Sequence, residues 1–187
     1  MGAARTAGIM YILLGIGYLL YIPVIFILML GILVDSYYMF EFGLFMSLIV
    51  GFLVAIFLML SGIFSIPVAS EQDVGTFTGA GVMLIIYSIF SMIQSILILL
   101  IGPEYYYYYT YYGLFFVLSM IGFVLALVAF ILLGTAMRTL GNNTGDSGLS
   151  TAGLLIIIGA ALLIIGIGGL LLLIGLFWGG SRMMALE

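Results

Sequence analysis

The chain has 187 residues, 66% of them apolar and only 5% charged, with a net charge of −4. A soluble domain is roughly 45–50% apolar and about 25% charged, so this composition excludes a water-soluble fold and marks an integral membrane protein. With no cysteine or histidine, and with three arginines as the only basic side chains, thiol chemistry, imidazole acid–base work and lysine-based catalysis are excluded.

Five apolar stretches are long enough to cross a hydrocarbon layer of ~30 Å, which takes about 20 helical residues. They run 8–34, 43–68, 79–101, 113–137 and 151–178. Runs such as Leu154-Leu155-Ile156-Ile157-Ile158 do not alternate in the way barrel strands must, so the spans are helices. The expected fold is an all-α bundle of five transmembrane helices in a single domain covering 1–187.

In the first span Tyr11, Gly15 and Tyr18 share a face with Tyr21 beside it, and Pro23 is expected to kink the helix. Asp35, Tyr37, Tyr38 and Glu41 follow as an acidic, aromatic loop. The second span places Ser47, Gly51 and Ala55 at four-residue steps, then Gly62. Such a smooth stripe lets another helix approach closely in lipid.

The third span holds Gln94, the strongly polar side chain placed well inside a predicted helix. Ser88, Ser91 and Ser95 form a stripe that Tyr87 and Gln94 flank. An amide facing lipid leaves its donors unsatisfied, so Gln94 must face protein or water. Two readings follow, an interhelical hydrogen bond or the lining of a polar path or small-molecule pocket, with Tyr18, Tyr21, Ser91 and Gln94 converging at mid-membrane. Beyond this span, Glu104, Tyr105 to Tyr109, Tyr111 and Tyr112 make a second acidic aromatic loop. Tyrosine suits the headgroup zone, where its ring is apolar and its hydroxyl wet. The same loops also read as a stacking platform for an outer partner.

The fourth span carries Ser119, Gly122, Ala126, Ala129 and Ala136 at helical spacing. After it, Gly145-Asp146-Ser147-Gly148 reads as a turn capping the fifth helix; as a serine nucleophile it lacks a base. Met1-Gly2 and Asn142-Asn143-Thr144 match lipidation and glycosylation patterns, and both read as coincidence in a multi-span chain whose sequon faces the cytoplasm.

Taken as one helix, the fifth span is smooth on two sides: Ala152, Gly159 and Gly166 on one, Ala161, Gly168 and Gly175 on the opposite one. Such a helix is expected to sit between two neighbours. Gly159, Gly166, Gly168 and Gly175 are therefore candidate oligomer-packing residues.

These elements recur. Thr6-Ala7-Gly8, Thr78-Gly79-Ala80-Gly81 and Thr151-Ala152-Gly153 align their glycines 73 and 72 positions apart, and Gly43-Leu44-Phe45 is echoed by Gly113-Leu114-Phe115. The pattern predicts tandem hairpins of like orientation, with units near 6–77, 78–150 and 151–180. The third is expected to stop after its first helix, leaving 181–187 as a tail whose Leu186-Glu187 reads as a cloning remnant. Arg5 and Arg138 then fall on one side and Arg182 on the other, which places the N-terminus in the cytoplasm of a plasma-membrane protein.

The tandem hairpins, abundant Ile, Leu and Gly, tyrosine-rich acidic loops and absence of lysine resemble small multi-pass membrane proteins of archaea whose function is unknown. The resemblance implies a plasma-membrane location and no residue roles. The leading functional expectation is a non-enzymatic assembly or accessory subunit, in contact with the lipid bilayer and either its own copies or a partner membrane subunit, with no cofactor, metal or nucleic acid. The alternative is a passive channel or facilitator lined by the third helix. No ionisable residue falls within a span, which argues against ion-coupled transport.

Overall fold

A computed structural model describes residues 2–101, 112–165 and 168–186, and among them the chain is all-helical. The elements are α1 (Ala3–Leu33), α2 (Tyr37–Glu71), α3 (Thr76–Ile101), α4 (Tyr112–Thr144), α5 (Ser147–Ala161), a 3-10 turn (Leu162–Ile165) and α6 (Gly168–Met184). Four of these helices, α1 to α4, are long and apolar enough to cross a membrane. α1 carries Pro23 in its interior. Glu104, Tyr105 to Tyr109, Tyr111 and Gly166 lie outside the described residues, as do the side chains of Tyr37 and Tyr112.

The expected fifth span is two helices. α5 has 15 residues and α6 has 17, so each covers only about 22–26 Å and falls short of a full crossing. They fold back on each other. Gly159 lies against Gly168 and Leu172, Gly175 against Ala152 and Ile156, and Gly148 against Arg182. The cause is local. Gly159, Gly166, Gly168 and Gly169 crowd into eleven residues, and each glycine in a helix interior costs about 1 kcal/mol relative to alanine. The two smooth faces of the supposed single helix are thus the two sides of a tight internal hairpin.

Turn chemistry closes the connections. Asp35 and Asp73 take left-handed φ values of 49° and 52°, and Gly145 takes 74°. Ser36 caps α2 by accepting from the Met39 amide, and Asp146 caps α5 by accepting from the amides of Gly148 and Leu149 at 2.8 and 3.1 Å. Arg182 also reaches Asp146, at 4.0 Å, so Arg182 sits at the same end of the bundle as Arg5 and Arg138 rather than opposite them. The starts of α1, α3 and α5 and the ends of α2, α4 and α6 share this end, called here the terminal end; the other is the loop end.

The helices form a ring in chain order, with α6 packing back on α1. Three crossings are backbone-close. A Cβ on Gly62 would lie 2.6 Å from the Gly81 carbonyl oxygen, one on Gly134 2.6 Å from that of Gly153, and one on Gly180 2.6 Å from that of Gly8. Without a hydrophobic force between helices in lipid, such approach is what holds them together.

Inside the ring, Ala7, Ala80 and Ala152, then Tyr11, Leu84 and Ile156, are all fully buried, and they face Leu58, Phe130 and Leu176. Tyr11 pairs with the Ser65 hydroxyl at 2.6 Å, and Ser65 donates to the Ser61 carbonyl. The terminal-end half of the molecule is therefore solid.

Candidate functional site

The loop-end half is different, because α5 and α6 turn back near mid-bundle and leave four helices where six stood. A cavity of about 570 Å³ opens there, with Leu163 and Gly169 of the hairpin among its lining residues. This is within the roughly 300–1,000 Å³ typical of small-molecule sites. Its floor is Val54, Ala126, Phe130 and Leu172, and its apolar walls include Ile22, Ile25, Phe123 and Leu170. The polar groups are Tyr18, Tyr21, Tyr87, Ser91, Gln94 and Ser119.

Each of these side chains is held by an identifiable contact. Gln94 donates from Nε2 to the Ser119 hydroxyl at 3.4 Å, which ties α3 to α4 at the cavity mouth. Tyr21 donates to the Ser47 carbonyl at 3.3 Å. It can do so because Gly51 lacks a side chain: a Cβ there would lie 2.9 Å from the Tyr21 hydroxyl. Gly122 performs the same service for α3, since its Cβ would meet Phe90 at 3.1 Å and Gln94 Oε1 at 3.6 Å. Tyr18 packs edge-on against Phe130 with ring centroids 6.0 Å apart, and its hydroxyl faces that of Tyr87.

The serine stripe is divided. Ser91 lines the cavity with Tyr87 and Gln94. Ser88 is fully buried and donates to the Ala55 carbonyl at 2.6 Å, and Ser95 donates to the Ser91 carbonyl of its own helix at 3.0 Å. Ser88 is thus a helix-to-helix tie below the cavity. For Gln94 both readings of the sequence describe the same place, since its interhelical bond forms part of the cavity wall.

Gly159, Gly168 and Gly175 are buried within the chain's own hairpin, where they are covered by α5 and α6 and present no face to another copy. Ser119, Phe123 and Leu170 are among the cavity-wall residues that sequence reasoning did not assign to a site. Ser119 had been read as part of a smooth packing stripe; its spacing from Gly122 and its hydroxyl were the available signal.

Among the described residues no charged side chain lines this cavity. Among the described residues no cluster of His, Cys, Asp or Glu is placed to hold a metal ion. What the arrangement can do is bind: a neutral polar group on its hydroxyls and amide, and an apolar body on its walls. No protein-family model, curated protein or solved structure matches this chain.

Proposed function

We propose that the protein is a passive facilitator that binds a neutral, partly apolar small molecule in the loop-end cavity, and that it works without covalent chemistry. The observation carrying this reading is the cavity itself: about 570 Å³, uncharged among the described residues, with Gln94, Ser91, Ser119 and three tyrosines on its wall. Charged cargo would be left uncompensated there. The packed terminal-end half below the floor speaks for a pocket open to one side, with release toward the bilayer or the loop-end surface.

The architecture we infer behind it is three tandem hairpins of like orientation, the third shortened. Both ends of the second helix pair lie 73 positions after those of the first, while the third pair occupies only 147–184. The glycine crossings support this register, with Gly62, Gly134 and Gly180 as counterparts on the second helix of each pair. So does burial, with Leu58, Phe130 and Leu176 in one equivalent set and Ser65, Met137 and Met183 in another. On this reading the cavity is the space left by the missing tip of the third hairpin. The arginines at the terminal end favour that end as the cytoplasmic one, at the plasma membrane.

The test is exchange in reconstituted vesicles. Wild-type protein should speed exchange of uncharged, partly apolar solutes between the bilayer and the surrounding water over protein-free vesicles, carry no ions, and lose the effect in Ala126→Leu, which adds bulk to the cavity floor. Equal rates for neutral solutes with and without protein defeat the proposal.

A second reading, an assembly subunit, draws on the exposed loop-end halves of α1 (Ile22, Ile25, Phe26, Met29) and α4 (Phe116, Val117, Met120). A partner membrane helix beside them would complete the ring; a single monomeric mass in detergent and in native membranes would remove it.

A further inference from the structure

We infer that the cavity takes a neutral amphiphile whose buried head is a flat, carbonyl-bearing ring, and that this ligand enters sideways from the bilayer between α1 and α4; the inference rests on the binding role proposed above. The entry route follows from the ring of helices. Among the described residues only the short hairpin stands between α1 and α4, with α5 ending at Ala161 and α6 beginning at Gly168, while α1 and α4 run on. Above it the flanking surfaces are bare and apolar: Leu19, Ile22 and Ile25 on one side, Met120, Ile121 and Val124 on the other. A lipid-phase molecule meets a surface like its own surroundings there, whereas an aqueous solute would have to pass the apolar rim.

The head chemistry follows from what the wall offers. With no charged group among the described residues that line the cavity, a carboxylate, phosphate or ammonium head would be buried there unpaired. The polar wall offers protons from the hydroxyls of Ser91 and Ser119 and from one of the paired Tyr18 and Tyr87 hydroxyls, while the Gln94 N–H is given to Ser119. Against these stands one carbonyl-type side-chain acceptor, Gln94 Oε1. It is turned toward α4, lying 3.6 Å from the position a Cβ on Gly122 would take. The Ser91 backbone carbonyl is already taken by Ser95, and the Ser47 carbonyl by Tyr21. The hydroxyl protons of Ser91 and Ser119 suit an acceptor such as a ring carbonyl, and each neutral bond made there contributes modestly.

The flatness follows from the neighbours of those donors. Tyr18, Tyr87, Phe123 and Phe130 border the same volume, and the Tyr18–Phe130 pair is already set edge to face. Planar rings pack against such edges and faces better than a flexible chain does. Ile22, Ile25 and Leu170 then line the way out for an apolar tail.

The probe is a decyl-substituted benzoquinone, titrated into nanodiscs carrying wild type, Gln94→Leu or Ser91→Ala, with empty nanodiscs subtracted. Decanol, decane and decylammonium serve as competitors. Wild type should bind the quinone saturably at one site. Gln94→Leu should weaken it by about ten-fold and Ser91→Ala by a few-fold, as expected for loss of one buried neutral hydrogen bond. Decanol should compete weakly, and decane and decylammonium not at all. If decane competes as well as the quinone, or both variants bind like wild type, the carbonyl-head assignment is overturned while the cavity remains a binding site. If no probe binds above empty nanodiscs, the binding role itself falls.

Discussion

Pairing Ala152→Cys with Gly179→Cys distinguishes the folded-back hairpin from a single fifth span. In the structure a Cβ on Gly179 would lie 3.4 Å from the Cβ of Ala152, just below the 3.5–4.5 Å that disulfides span. Were 151–178 one continuous helix, 27 residues at about 1.5 Å each would hold the two sites roughly 40 Å apart. The chain has no cysteine of its own, so the introduced thiols report only on each other. The new Cβ also approaches Met137 Sδ at 2.7 Å, but that is the flexible end of a side chain and can turn aside. Mild oxidation in membranes should give an intramolecular disulfide, read as a mass lower by two hydrogens, resistance to alkylation, and a crosslinked peptide pair after digestion. The closed loop should add about 3–4 kcal/mol of stability by the chain-entropy account. Two freely alkylated thiols, or crosslinks only between chains, would refute the hairpin and with it the origin of the cavity.

Three further outcomes are expected. Gly180→Ala places a methyl 2.6 Å from the Gly8 carbonyl, against backbone that cannot yield cheaply, and should destabilise the closure of α6 on α1 by about 1–3 kcal/mol in detergent unfolding titrations. Gly169→Ala meets nothing within 4 Å and lies in α6, so it should stabilise by about 0.5–1 kcal/mol in the same assay. Asp146→Ala removes the cap of α5 along with the partner of Arg182 and should cost about 1 kcal/mol, with Asp146→Asn retaining most of the capping contribution.

The first four helices were legible because hydropathy and length leave little freedom in a membrane. The stretches 8–34, 43–68, 79–101 and 113–137 lie within one or two turns of α1 to α4. The cavity group was partly legible too, since an amide inside a span must find a partner and the serine and tyrosine faces pointed to the same level. The hairpin was hidden by an ambiguity in helical periodicity. Ala152 and Gly159 on one face, and Gly168 and Gly175 on the other, fit a helix between two neighbours as well as two half-helices facing each other. Glycine density near 166–169 was the evidence against continuity, and its cost accumulates. The tail had been expected to begin at 181, yet α6 continues to Met184, with Gly180 packed on Gly8 and Met183 fully buried.

Whether the cavity is a pocket or the mouth of a pore turns on its floor. A path through the terminal-end half would have to part helices at crossings where glycine carbonyls of one meet the backbone of the next, and would have to open the Tyr11–Ser65 bond at the centre. Tyr11→Phe tests this directly. It removes the hydroxyl while keeping the ring, and Ser65 retains its bond to the Ser61 carbonyl, so the stability lost should be only about 0.5–1.5 kcal/mol. If the floor is structural packing, this variant should bind ligand like wild type and admit no ions. An ion leak appearing in vesicles with Tyr11→Phe alone would mean that this hydroxyl pair is a gate, and that the solid half of the molecule is a closed channel rather than the base of a pocket.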